Sequence, residues 1–165
     1  MQAELDMQSG ILHAQDKDFK TAYSYFFESL EGFSTREDTN AMLALKYMLL
    51  CKVMLNLADD IASIMHTKTA IRFAGPDVDA MRAVAAAAKN RSLHDFDAAL
   101  AKYKAELQDD PIIRSHLAQL HNKLMQENLK RIIEPFSRVE IAHIAQLIGL
   151  DINVVESKYD MSTCF

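Results

Sequence analysis

Residues 35–57 read Thr35-Arg-Glu-Asp-Thr-Asn-Ala-Met-Leu-Ala-Leu-Lys-Tyr-Met-Leu-Leu-Cys-Lys-Val-Met-Leu-Asn-Leu57, and this stretch decides the fold. At helical pitch, Leu43, Tyr47, Leu50, Met54 and Leu57 form one apolar stripe. Met42, Leu45, Leu49 and Val53 form a second. A helix apolar on two faces has to be covered on two sides. One partner helix cannot do that, so the stretch predicts an all-α fold of stacked antiparallel helix pairs. Lys46, Lys52 and Asn56 interrupt the apolar run 41–58, and Asn40 flanks it. It therefore reads as a buried helix and not as a membrane span.

Working outward, residues 18–31 place Phe19, Ala22, Tyr23, Phe26, Phe27 and Leu30 at helical spacings. Gly32 is expected to end that helix, since glycine takes the left-handed C-terminal position without a Cβ penalty. Ser34 with Glu37 is expected to form the capping box of the next helix. On the other side, residues 59–73 predict a shorter helix with Ile61, Ile64 and Met65, then an irregular stretch. Gly75-Pro76 breaks the chain. Asp77 is expected to cap a helix to about Asn90, with Met81, Val84 and Ala88 inward. Ser92 caps a helix over 93–107. Pro111 opens a long helix to about Ile133, with Ile113, Leu117, Leu120, Leu124 and Leu129 as its core face, and Pro135 stops it.

Two segments echo one another. Asp18-Phe19-x-x-Ala22-x-x-x-Phe26 matches Asp95-Phe96-x-x-Ala99-x-x-x-Tyr103. A small Ala lets a neighbouring helix approach, and aromatics flank it a turn away on each side. That is the packing logic of tetratricopeptide-like helix pairs. After Pro135 the character changes. Ser137 and Glu140 form another capping-box pattern, and Val139, Ile141, Ile144, Ala145 and Ile148 give a short apolar helix. Gly149 ends it, Leu150-Asp151 turn, and a second short helix over 152–159 carries Val154 and Val155 inward. Two short helices so joined suggest a helix-turn-helix. The expected division is a helical-repeat part over 1–133 and a helix-turn-helix part over 134–165, which the resemblance given below implies is an incomplete winged helix.

Composition narrows the function. The 165 residues are 50% hydrophobic and 25% charged, which excludes a disordered or fibrous chain. Four Gly and three Pro argue against a turn-rich all-β fold. Eighteen basic against 23 acidic residues leave a formal charge of −5, the wrong sign for a general nucleic-acid binder. The second short helix sets Asp151, Glu156 and Asp160 against Lys158, so it would be repelled by phosphates. Lys130, Arg131 and Arg138 read as a solvated face. The other class of function these elements fit, a winged-helix nucleic-acid binder with a helical dimerisation arm, has charge against it. Two cysteines fit a reducing compartment, and Glu4 and Asp6 stand where a secretory signal would be basic.

No catalytic, cofactor or metal constellation emerges. His116 and His121 stand about 140° apart around a helix. His13, His66, His94 and His143 are scattered, whereas zinc needs three or four converging ligands. Cys51 lies between Leu50 and Lys52 and reads as a structural thiol. Asp59-Asp60 and Asp109-Asp110 stand at helix boundaries, where capping explains them. No glycine-rich phosphate loop is present.

Several stretches carry a resemblance. Ser9-Gly-Ile-Leu-His13, Asp18-Phe-Lys-Thr-Ala-Tyr23, Leu45-Lys-Tyr-Met-Leu-Leu-Cys-Lys52 and Ile132-Ile-Glu-Pro-Phe-Ser-Arg-Val139 resemble the PCI-domain subunits of the proteasome lid. Asp79-Ala-Met81, Arg91-Ser-Leu93 and Ile141-Ala-His-Ile-Ala145 extend it to about residues 9–159. The resemblance implies a helical array leading into a winged helix, and a non-catalytic scaffold of the regulatory particle. It implies the other lid PCI subunits, the ATPase ring and the core particle as partners, with no cofactor, nucleic acid or membrane. It also implies a cytoplasmic and nuclear location. The expected partner-binding face is Ile141, Ile144, Ile148, Val154 and Val155. Family members carry more helices before the part equivalent to Met1 and a β-wing after the second short helix. Here Asp-Met-Ser-Thr-Cys-Phe follows Tyr159 without a strand pattern, so the wing is expected to be missing and part of that face exposed.

Overall fold

The structure is a computed structural model that describes residues 1–134, 145, 146, 149, 151, 153 and 154. Among these no strand occurs. The helices are α1 (Gln2–Gln15), α2 (Phe19–Thr35), α3 (Asn40–Met54), α4 (Ala58–Met65), α5 (Lys68–Arg72), α6 (Pro76–Lys89), α7 (Leu93–Lys102), α8 (Lys104–Gln108) and α9 (Pro111–Ile133). The chain divides into two compact units, Met1–Leu117 and Ala118–Phe165.

The first unit is built from antiparallel neighbours. Ala3 meets Gly32, Gly10 meets Phe26, and His13 stacks on Tyr25, so α1 and α2 run in opposite senses. Phe26 against Tyr47 and Tyr23 beneath Lys52 set α3 antiparallel to α2. α3 packs on α6, α6 on α7, and α4 on both α3 and α6. The two-sided helix is thus covered by α2 on one side and α6 on the other. Leu45, Tyr47, Leu49, Leu50 and Val53 are buried as the two stripes require. Leu57 is not: it follows the helix end and is 44% exposed.

Four helices end in the same way. Lys17, Glu37, Asn56 and Arg91 have φ of 64°, 55°, 61° and 52°, in the left-handed region. Each is followed by a residue whose N–H returns to a carbonyl five positions back: Asp18 to His13, Asp38 to Phe33, Leu57 to Lys52 and Ser92 to Ala87. This satisfies a carbonyl of the last turn and reverses the chain within three or four residues. In two cases the same follower caps the next helix. Asp18 accepts from the Thr21 N–H, and Ser92 from the Asp95 N–H.

Several local expectations are corrected. Gly32 does not end α2, which runs on to Thr35; it lies inside the helix because α1 crosses there, and a Cβ on it would come within 2.8 Å of the Ala3 Cβ. Ser34 and Glu37 do not form a capping box, because Ser34 is still within α2 and Glu37 occupies the left-handed turn. α3 starts at Asn40, whose N–H is taken by Asp38 Oδ1 at 2.9 Å. The helix expected over 93–107 breaks at Tyr103 into α7 and α8. Asp77 does not cap α6, which starts after Gly75 with Pro76 in the first position; its carboxylate faces Lys46 instead.

α1 carries no strong apolar stripe. Its buried residues are Ala3, Met7, Gly10 and Ala14, mostly small, so it reads weakly as an amphipathic helix yet approaches α2 closely. The Ser29 hydroxyl, buried between the two, donates to the Ala3 carbonyl at 2.8 Å. In the echo, Phe19, Ala22, Phe26, Phe96 and Ala99 are all buried. The echo differs in its capping: Asp18 is an N-cap, whereas Asp95 lies in the first turn of a helix capped by Ser92.

Candidate protein-interaction surface

The polar residues of α3 tie it to α6, to α8 and to Asp110 at the start of α9. Lys46 is buried, and its ammonium donates to Asp77 Oδ1 at 2.7 Å and to the Glu106 carbonyl at 2.7 Å. One side chain therefore ties α3 to α6 and α8. One position on, the Tyr47 hydroxyl donates to Asp110 Oδ2 at 2.7 Å. The other oxygen of Asp110 accepts the N–H groups of Ile112 and Ile113, at 2.8 and 3.2 Å. Asp110 thus caps α9 and anchors it to α3 together, as the capping reading of Asp109-Asp110 predicts in part. Burial, and then the Asp110 carboxylate, push the Tyr47 hydroxyl pKa up, so it stays a donor. Lys52 reaches Asp60 Oδ2 at 2.8 Å and lies over the Tyr23 ring.

α9 presents Ile113, Leu117, Leu120, Leu124 and Leu129, all buried as its pattern requires. His116 is buried in the same helix, with its ring edge-on to Phe19 at 5.6 Å. Its Nδ1 has no hydrogen-bond partner, and burial holds its pKa below the usual histidine value. This is a packing histidine. Past the helix, Ala145 and Gln146 are helical, Gly149 has φ of 70°, and Asn153 and Val154 are helical. Asp151 Oδ1 takes the Asn153 N–H at 2.9 Å, and the Val154 N–H returns to the Asp151 carbonyl. Gly149 is thus in the left-handed region, and Asp151 makes both bonds to the turn that holds Asn153 and Val154. Of the expected partner-binding residues, Val154 is 39% exposed. Ile141, Ile144, Ile148 and Val155 lie outside the described residues.

The groups weighed for chemistry are placed structurally. Cys51 is buried, and burial pushes its thiol pKa up to about 12, the reverse of an activated nucleophile. Asp59 pairs with Lys89 and Asp60 with Lys52. Asp18 is a helix cap whose carboxyl pKa is lowered by hydrogen bonds from Thr21. Among the described residues no three His, Cys, Asp or Glu side chains converge as metal ligands, and no helix is long and apolar enough to cross a membrane. These groups serve packing, capping and ion pairing within the chain.

Comparison with known proteins agrees. Residues 100–158 match the PCI domain. The chain is 57% identical over 157 residues to the 26S proteasome non-ATPase regulatory subunit 11 homolog of Arabidopsis thaliana, covering 95% of this chain and 38% of that protein. It is 58% identical over 159 residues to the "Probable 26S proteasome regulatory subunit rpn6" of Schizosaccharomyces pombe, covering 96% and 38%. It is 52% identical over 161 residues to the 26S proteasome regulatory subunit RPN6 of Saccharomyces cerevisiae, covering 94% and 37%. The chain thus spans a little over a third of the length of these relatives. The match runs through the helical array and the PCI region alike, so the chain is a homologue of the non-ATPase regulatory subunit 11 and Rpn6 proteins of the 26S proteasome.

Proposed function

We propose that this chain acts as a non-catalytic scaffold in the lid of the proteasome regulatory particle. It would support assembly of the 26S particle, and through it ubiquitin-dependent protein degradation. The observation that carries this is identity of 52–58% to regulatory-subunit relatives over at least 94% of the chain. The local chemistry is in keeping with it: histidine, cysteine and paired carboxylates serve packing and capping. On this reading the partners are other PCI subunits of the lid, the ATPase ring and the core particle, met in cytoplasm and nucleus. The contact toward the neighbouring PCI subunit uses Ile141, Ile144, Ile148, Val154 and Val155. The test is affinity purification of the tagged chain from cells, followed by mass spectrometry and peptidase assay of the eluate. Lid subunits should co-elute and stay bound in high salt. Retention on heparin or DNA without lid subunits would overturn the reading in favour of a nucleic-acid binder.

A further inference from the structure

Within the first unit, the start of α9 rests on α2 and α3 through a few side chains. Asp110 caps the helix and accepts the Tyr47 hydroxyl of α3 at 2.7 Å. Further along, the His116 ring meets Phe19 of α2 edge-on, with centroids 5.6 Å apart. Both side chains are buried, His116 at 3% exposure. The His116 Nδ1 is buried there without a hydrogen-bond partner. A buried polar atom left unpaired is uncommon and carries its full desolvation cost. An apolar side chain of similar size would cover Phe19 without that cost, so the ring at this position calls for a reason of its own.

The seam offers no counter-charge to an imidazolium. On α2, Asp18 caps its own helix and Lys20 is exposed. On α3, the Lys46 ammonium is bound to Asp77 and to the Glu106 carbonyl, and Tyr47 donates to Asp110. On α9, Arg114 is exposed and both oxygens of Asp110 are engaged. None of these groups bonds to the Nδ1 of His116. A proton taken up there would place a cation in an apolar seam with no acceptor, and burying an unpaired charge is far more costly than burying the neutral ring.

We propose that His116 is a proton-operated release for the start of α9. As the neutral ring it seals the first two turns of the helix against Phe19 of α2. As the imidazolium it leaves that seam for water, and those turns lift from α2 with it. The sign follows from the packing. Burial holds the folded imidazole below the ordinary histidine value of 6.5, so the opened seam takes up the proton more readily than the closed one. Closure is therefore complete above pH 6.5 and is lost as pH falls below it. The device stands independently of the proteasomal reading, because every contact in it lies within the chain.

The experiment is amide hydrogen exchange of the full chain, read residue by residue by NMR and corrected for the intrinsic rate at each pH. Between about pH 7.5 and 5.5, opening at residues 113–117 should rise roughly three- to tenfold, about tenfold being the most that one proton per opening event allows. Opening at Leu49 and Leu50 inside α3 should rise less. In His116→Leu the rise at 113–117 should vanish, with opening at about pH 7.5 no greater than in the parent. The ring signals of His116 in the parent should titrate below 6.5. Should His116→Leu melt below the parent, that ring titration and the exchange of the parent decide. A ring that titrates at or above 6.5, opening at 113–117 that does not change with pH, or a rise in His116→Leu equal to that of the parent would each overturn the proposal. So would an equal rise at Leu49 and Leu50, since the whole unit would then be opening.

Discussion

The Lys46 ammonium sits 2.7 Å from Asp77 Oδ1, although 31 residues separate the two in the chain. Lys46 is buried, whereas the Asp77 side chain is 32% exposed. The two ends of this pair are therefore unequal. Removing the carboxylate leaves a buried cation with only the Glu106 carbonyl as partner. Removing the cation leaves a carboxylate that water can reach. Asp77→Ala should cost about 1–3 kcal/mol, below the value of a fully buried pair because Asp77 is partly solvated. Lys46→Met, which keeps the packing of the stem, should cost less than about 1 kcal/mol. Urea melts that show Lys46→Met to be the more damaging change would contradict this account.

Core packing should respond at both ends of the size scale. Leu50 is 3% exposed, so Leu50→Ala opens a cavity between α3 and its neighbours. The loss should be roughly 2–5 kcal/mol. Ala99 is 6% exposed on the buried side of α7, and Ala99→Phe overfills it at roughly 1–3 kcal/mol. Calorimetric melting of both variants is the check; parental melting temperatures would show that neither site is packed as described.

Gly10 marks the closest approach of α1 to α2. A Cβ there would lie 2.6 Å from the Phe26 ring, and Phe26 is itself buried. Gly10→Ala gains about 1 kcal/mol of helix propensity. It should lose more, roughly 1–3 kcal/mol, through overpacking. The variant should therefore be less stable than the parent despite being the better helix former. Adding Phe26→Leu should recover part of the loss, a coupling that a double-mutant cycle measures.

The left-handed turns predict the opposite sign. Lys17 and Arg91 hold φ of 64° and 52° with a Cβ present, at a cost of roughly 1–2 kcal/mol each. Glycine removes that cost but adds roughly 0.5–1 kcal/mol of unfolded-chain entropy. Lys17→Gly and Arg91→Gly should each stabilise by about 0.5–1 kcal/mol. Asn56→Gly should gain less, because asparagine tolerates this conformation better. A loss of stability in all three variants would place these residues outside the left-handed region.

Cys51 should be inert in the folded chain. Burial raises its thiol pKa from an ordinary 9.0 to about 12. The raised folded value favours the neutral form in the fold. Its contribution to stability is therefore complete below pH 9 and is lost as pH rises from about 9 to 12. In a Cys164→Ser background, iodoacetamide at pH 8 should modify Cys51 only after denaturant is added. Fast alkylation of the folded protein would mean that the thiol is exposed or activated.

The sequence by itself determined the helical class, the two-sided burial of α3, and the starts of α2, α7 and α9. These depend on periodicity and on caps such as Asp18, Ser92 and Asp110, whose partners lie within three residues. The family was legible for the same reason, because motifs such as Leu45–Lys52 are read without any fold. What needed the tertiary structure is what joins distant residues. Gly32 looked like a helix end, since glycine is the usual left-handed residue; the actual ends use Lys17, Glu37, Asn56 and Arg91, and Gly32 answers to Ala3 of another helix. The bounds and buried face of α1 had no clear pattern, because a face of Ala, Gly and Met buries little apolar area and matters only through close approach. Asp77 looked like a cap until Lys46 was brought to it. Of the expected partner face only Val154 is described. A local hydrogen bond is set by a few neighbouring dihedral angles, whereas a buried ion pair exists only once chain segments tens of residues apart have packed.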